Sequence, residues 1–152
     1  MTPMVLVVGY GNPLRQDDGA GWQVAQRVEA LPPSGTDVRV IVCHQLTPEL
    51  AEPLSASRRA VFIDAGIEGA PGSVESRSIV PASGTPQFGA HRFGPSELLA
   101  TAQALFGASP AAYLITVNGR DFGYGSELSE PVKDSLDAAA ALVVELTHAA
   151  EK

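Results

Sequence analysis

Apolar residues fall in two kinds of pattern along this chain, short unbroken runs and longer stretches with a helical repeat, and the two kinds alternate. Residues 4–8 and 60–63 are unbroken apolar runs, the second typical of a strand covered on both faces, while 38–43 and 112–117, apolar but for Arg39 and Thr116, also read as strands. Between them, Ala20, Val24, Val28 and Leu31 recur at helical spacing, as do Leu98, Leu99, Ala102 and Leu105, and then Val132, Leu136, Ala139, Val143 and Leu146. Thr47-Pro48 and Gly94-Pro95-Ser96-Glu97 read as helix starts, because a proline at the first helical position gives up an amide that has no partner there. Residues 73–80 alternate polar and apolar only weakly and carry Glu75 and Arg77, which suits an exposed edge strand running antiparallel to the others. Alternating strands and helices predict an α/β fold: a single domain over 1–152 with a mostly parallel twisted sheet of about five or six strands, helices on both faces and one antiparallel edge.

That topology brings the carboxyl ends of parallel strands to one edge, where open α/β sheets place their ligands. Three polar residues fall there: Asp18 after the first strand, His44 at the end of the second and Asp64 at the end of the third. His91, at the far side of a loop rich in proline and glycine, is within chain reach of the same edge. Gly9-Tyr10-Gly11-Asn12-Pro13-Leu14 links the first strand to Asp17-Asp18-Gly19-Ala20-Gly21 at the start of a helix. One acid is enough to cap a helix, and two adjacent acids exceed that need. A dinucleotide-binding loop is excluded: Leu14 stands where a third glycine is required, and His44 stands where the ribose-binding acid belongs. Residues 118–125, with three glycines, read as a lid or docking surface.

Net charge is −7, without a concentration of Lys or Arg, so neither nucleic acid nor an anionic membrane is expected as the partner. The single cysteine, Cys43, lies inside an apolar run, where a buried thiol is a poor nucleophile, and one cysteine closes no disulfide within the chain. A cytoplasmic location is the expectation. Two carboxylates with one or two imidazoles suit a borderline divalent ion such as zinc or nickel, although no local metal motif is present.

The loop at 9–21, His44-Gln45-Leu46-Thr47-Pro48-Glu49-Leu50, Phe62-Ile63-Asp64-Ala65, and His91 before Ser96-Glu97-Leu98-Leu99 together resemble the hydrogenase maturation endopeptidases. These are nickel-dependent proteases that trim the hydrogenase large subunit. The resemblance implies Asp18, Asp64 and His91 as the metal-binding and catalytic residues, with Asp18 where many relatives carry glutamate. It leaves His44 and Asp17 as supporting residues around them, and Gly9, Gly11, Asn12 and Gly19 as the backbone of the loop. It further implies removal of a carboxyl-terminal extension from a hydrogenase large-subunit precursor after nickel insertion. The nickel would come from that substrate, with other divalent metals able to substitute. Two rivals use the same residues: a non-catalytic nickel-binding assembly module, and a general metallo-aminopeptidase or amidohydrolase.

Overall fold

Five strands in the order β2-β1-β3-β5-β4 make the sheet. They are β1 Met4–Tyr10, β2 Asp37–Cys43, β3 Ser57–Gly66, β4 Val74–Ile79 and β5 Ala111–Asn118. The computed structural model describes residues 4–30, 36–83 and 93–148. β1 pairs with β2 and β3, and β3 with β5, all parallel; β4 joins β5 antiparallel, as its weak alternation and charges predict.

Period-two alternation sorts each buried strand between two cores. Val7, Val61, Ile63, Ile115 and Val117 face α1 (Ala20–Ala30) and α4 (Glu130–His148), which contribute Val24, Val28, Leu136 and Val143. Leu6, Val8, Phe62 and Leu114 face the other way, toward α2 (Ala51–Ser55) and α3 (Pro95–Phe106), with Leu54, Leu98 and Ala102. Each of the larger side chains stabilises the fold by ~2 kcal/mol on removal from water.

Local signals fix the helix ends unevenly. α3 begins at Pro95; the Glu97 side chain folds back to accept the Gly94 amide hydrogen at 2.9 Å, and Gly107, left-handed at φ 75°, closes it. At the start marked by Thr47-Pro48 the Thr47 hydroxyl makes no capping bond, and the helix there is a short 3₁₀ turn followed by the five residues of α2.

Strand order reverses between β1 and β3. The chain leaves β1 for β2 on one side and leaves β3 for β4 and then β5 on the other, which opens a crevice at the carboxyl ends of β1 and β3. A 3₁₀ turn, Gln16–Gly19, leads from β1 into α1 beside that crevice. Close backbone approach seats α1 there: a methyl group on Gly21 would lie 2.4 Å from the Ile63 carbonyl oxygen, and one on Gly9 would lie 2.3 Å from the Gly21 carbonyl oxygen. Only glycine fits at either position.

Candidate active site

Asp64 is the eighth residue of β3; the five side chains before it, Arg59 to Ile63, are buried, and it is the first after them to reach the edge. By alternation it shares a face with Phe62, Tyr10 and Thr116. Two hydroxyls hold its carboxylate, Tyr10 donating to Oδ2 at 3.1 Å and Thr116 donating to Oδ1 at 3.1 Å. Thr116 pairs with Asp64 across β3 and β5, and Glu75 pairs with Thr116 across β5 and β4, so the three form one cross-strand row. Burial pushes the Asp64 carboxyl above the ordinary carboxylate range, and the charge of Asp18 acts in the same direction. The bonds from Thr116 and Tyr10 and the charge of Arg77 oppose this without overcoming it. Burial, then the neighbouring Asp64 charge, pushes the Tyr10 phenol well above its usual value, so it remains a donor.

Asp18 reaches the same place from the other side of the crevice. Its Oδ2 accepts the Asn12 amide hydrogen at 2.7 Å, and Gly11 makes that turn possible at φ 137°, where an added methyl group would strike the Asp18 carbonyl oxygen. The Asn12 side chain accepts from the Leu14 amide at 2.9 Å, while Gly19 packs on Pro13. All four loop residues named from the sequence thus shape the backbone around Asp18 or seat its helix.

The two carboxylates line two adjoining grooves. One, of about 720 Å³, runs over the open face of β4 and β5 past Glu75, Arg77, Thr116 and Phe122. The other, of about 560 Å³, lies toward His44, Leu46 and Phe93. Asp18, Asp64 and Ala65 belong to both.

The remaining expected residues divide. His44 lines the second groove with the two acids, and its ring meets Trp22 edge-on at 5.7 Å between centroids. The task of orienting Asp64 is carried by Tyr10 and Thr116, which the sequence reading passed over. His91 lies outside the described residues, and among the described residues no three His, Cys, Asp or Glu side chains converge as a metal cage. Cys43 is half-buried, its thiol pushed up by burial, and its carbonyl accepts from the Trp22 indole at 2.9 Å and the Gly11 amide at 3.1 Å.

Asp17 is turned away from both grooves and is 0% exposed. Its Oδ2 accepts from the Arg120 amide at 2.8 Å, the Asp121 amide at 2.9 Å and the Ser129 hydroxyl at 2.7 Å; its Oδ1 accepts from the Ser129 amide at 2.7 Å. Burial alone would raise this carboxyl, but the bonds from Asp121, Ser129 and Arg120 outweigh it and hold the group below its usual value. The segment after β5, expected as a lid or docking surface from its glycines, is therefore bound to the Asp18 loop, which removes the freedom a lid would need. Further bonds close the seam: Gln16 N–H to the Gly125 carbonyl at 2.8 Å, Gly125 N–H to the Leu14 carbonyl at 2.9 Å, and Gly123 N–H to the Gln16 side chain at 2.9 Å.

No protein-family model matches this sequence, and no curated protein matches it either. Solved structures do match. The NiFe hydrogenase maturation protease HycI from Thermococcus kodakarensis superposes with a TM-score of 0.75 at 22% identity, over 97% of this chain and 94% of that one. HybD, a NiFe hydrogenase maturation protease from the same organism, gives 0.69 at 26% identity over 97% of this chain and 99% of its own. A hydrogenase 2 maturation peptidase from a Thaumarchaeota archaeon gives 0.67 at 28% identity, over 93% of this chain and 96% of its own. The chain has the fold of these maturation proteases along almost its whole length.

Proposed function

We propose that this chain is a member of the hydrogenase maturation endopeptidases and cuts the carboxyl-terminal extension from a hydrogenase large-subunit precursor once nickel is in place. The observation that carries this reading is the meeting of Asp18 and Asp64, from two separate strand ends, at the junction of two open grooves in a chain with the fold of maturation proteases. A cleft continuing on both sides of the acids suits an extended peptide passing across them. An aminopeptidase needs a closed end.

The donor set suits a borderline divalent cation. Each carboxylate oxygen can accept about two hydrogen bonds and each is given one at most by Tyr10, Thr116 or Asn12, so lone pairs remain at both acids. Burial and the neighbouring Asp18 already disfavour charge on Asp64, and a cation relieves that cost. In this reading Asp18, Asp64 and His91 are the ligands, and the nickel belongs to the precursor, other divalent ions being able to replace it. Nickel so bound supplies polarisation of the scissile carbonyl or of a water. The residues of this chain position the peptide, keep Asp64 fixed through Tyr10 and Thr116, and offer a carboxylate oxygen to take the proton of the attacking water. Oxygen bonds to the carbonyl carbon, the carbon–nitrogen bond breaks, and the proton passes to the leaving amine. No helix among the described residues is long and apolar enough to cross a membrane. We place the reaction in the cytoplasm, the location that the single cysteine favours, with the precursor as the partner.

The test mixes the purified protein with precursor made with and without nickel and reads tail release by mass spectrometry. Cleavage of the loaded form alone is expected, and it should vanish in Asp18→Ala, Asp64→Ala and His91→Ala while circular dichroism keeps its folded signature. Equal cleavage of loaded and empty precursor would remove nickel from recognition and turn the reading toward an ordinary peptidase.

A further inference from the structure

Beside the larger groove, the two loops joined by the Asp17 bonds present apolar side chains outward. Leu14 is 63% exposed and Tyr124 is 89% exposed. The Arg15 guanidinium lies 5.2 Å from the centre of the Tyr124 ring and donates through Nε to the Phe122 carbonyl at 3.2 Å. Gly125, next to Tyr124, is bonded to the Leu14 carbonyl and bridged to Arg15, so the three side chains stand together. Phe122, two residues from Tyr124, lines the groove with Asp18, so the surface continues directly into the cleft.

Exposed leucine and tyrosine on a mobile loop would be unremarkable. Here the backbone beneath them is tied by a buried carboxylate with four bonds and by the seam at Leu14, Gln16 and Gly125. Rigid display of Tyr, Arg and an aliphatic side chain removes most of the ordering cost of binding, and Tyr and Arg are the types that dominate contact energy. We propose that Leu14, Arg15 and Tyr124 form a docking surface for the folded body of the precursor, outside the cleft that takes the scissile segment. The proposal rests on the maturation-protease reading for the identity of the partner. Of the candidates, a folded protein substrate fits best, because its bulk must lie against the rim where its tail enters, and a guanidinium stacked on an aromatic ring suits a surface with apolar groups and carboxylates or carbonyls.

The experiment uses the nickel-loaded large-subunit precursor from the same organism with wild-type protein, Leu14→Asp, Tyr124→Ser and the control Val80→Asp. Val80 is 72% exposed beyond the end of antiparallel β4, at the sheet edge opposite the site. Expected is a rise in KM of about tenfold in the two loop variants, with kcat at saturation and circular dichroism unchanged and with the control like wild type. Direct titration of the precursor onto Asp64→Asn protein, with and without the two loop substitutions, should show the same loss. Unchanged KM and affinity in both loop variants, an equal loss in Val80→Asp, or a fall in kcat alone would overturn the proposal. Failure of wild-type protein to cut the loaded precursor would sink the functional reading instead, and the titration would still judge the surface.

Discussion

Replacing Asp17 with alanine removes an acceptor from three backbone amides and one hydroxyl, all inside the protein. Hydrogen bonds to a charged group contribute ~1.5–3 kcal/mol each, but the four share one carboxylate and water can re-solvate part of the seam, so they do not add. Loss of one partner from a buried charged cluster sets the better scale, ~3–5 kcal/mol. In a domain of this size that lowers the melting temperature by about 10 °C. Asparagine with its oxygen at the Oδ2 position keeps three of the four bonds and sets an amide group against the Ser129 N–H, for a loss of ~1–2 kcal/mol. Urea unfolding followed by circular dichroism should therefore rank wild type, Asp17→Asn, Asp17→Ala. The pH dependence has a defined sign: the folded pKa is lowered, so the stabilisation is present above the unfolded value of about 4 and is lost as pH falls through the folded one. The gap between wild type and both variants should narrow in acid. An alanine variant within ~0.5 kcal/mol of wild type, or a gap that does not change from neutral pH to pH 3, would refute the account of Asp17 as an ionised clamp.

Asp64 titrates with the opposite sign. Its raised carboxyl favours folding fully only below about pH 4, and that contribution is lost as pH rises through the folded value, so Asp64→Asn should melt higher than wild type near neutral pH and level with it in acid. A lower melting temperature at pH 7 would count against this. Tyr10→Phe and Thr116→Val should each slow tail release by about tenfold with the fold intact, since each frees one oxygen of Asp64; full activity in the double variant would refute their positioning role. Gly21→Ala should destabilise by about 3 kcal/mol, measured by urea unfolding, because its methyl group overlaps the Ile63 carbonyl; wild-type stability would show that α1 can shift.

The sheet and its edge were legible because they rest on periodicity, which needs no knowledge of distant partners. Phe62 and Ile63 read as buried on both sides and are buried; Asp64 follows them to the edge for the same reason. What the one-dimensional pattern could not resolve was orientation at equal position. Asp17 and Asp18 are neighbours with the same chemistry, yet the turn at Gln16–Gly19 sends one inward and the other to the cleft. Asp17 meets Arg120, Asp121 and Ser129, more than a hundred residues on, so nothing local marks the loop after β5 as fastened, and its glycines misdirect toward mobility. Tyr10 and Thr116 were hidden in a similar way. Each sits in a strand where an aromatic or β-branched residue is expected for packing, and only the register Asp64↔Thr116 reveals the hydroxyl's task. A threonine just before the polar end of a strand next to Asp64 was the one available signal.

β4 also bears on how the molecule behaves among copies of itself. As the outer strand beside β5 it leaves a row of backbone donors and acceptors facing solvent, the template on which a stray extended segment could stack. Glu75 and Arg77 place charges of opposite sign along that row, with Ser76 between them, and the strand is only six residues long. A segment laid alongside would have to strip water from both charges at once. The same short, charged strand that forms one wall of the cleft thus acts as a guard against fibre-like growth of the sheet, and changes that make it more apolar carry a colloidal hazard even where the site itself is untouched.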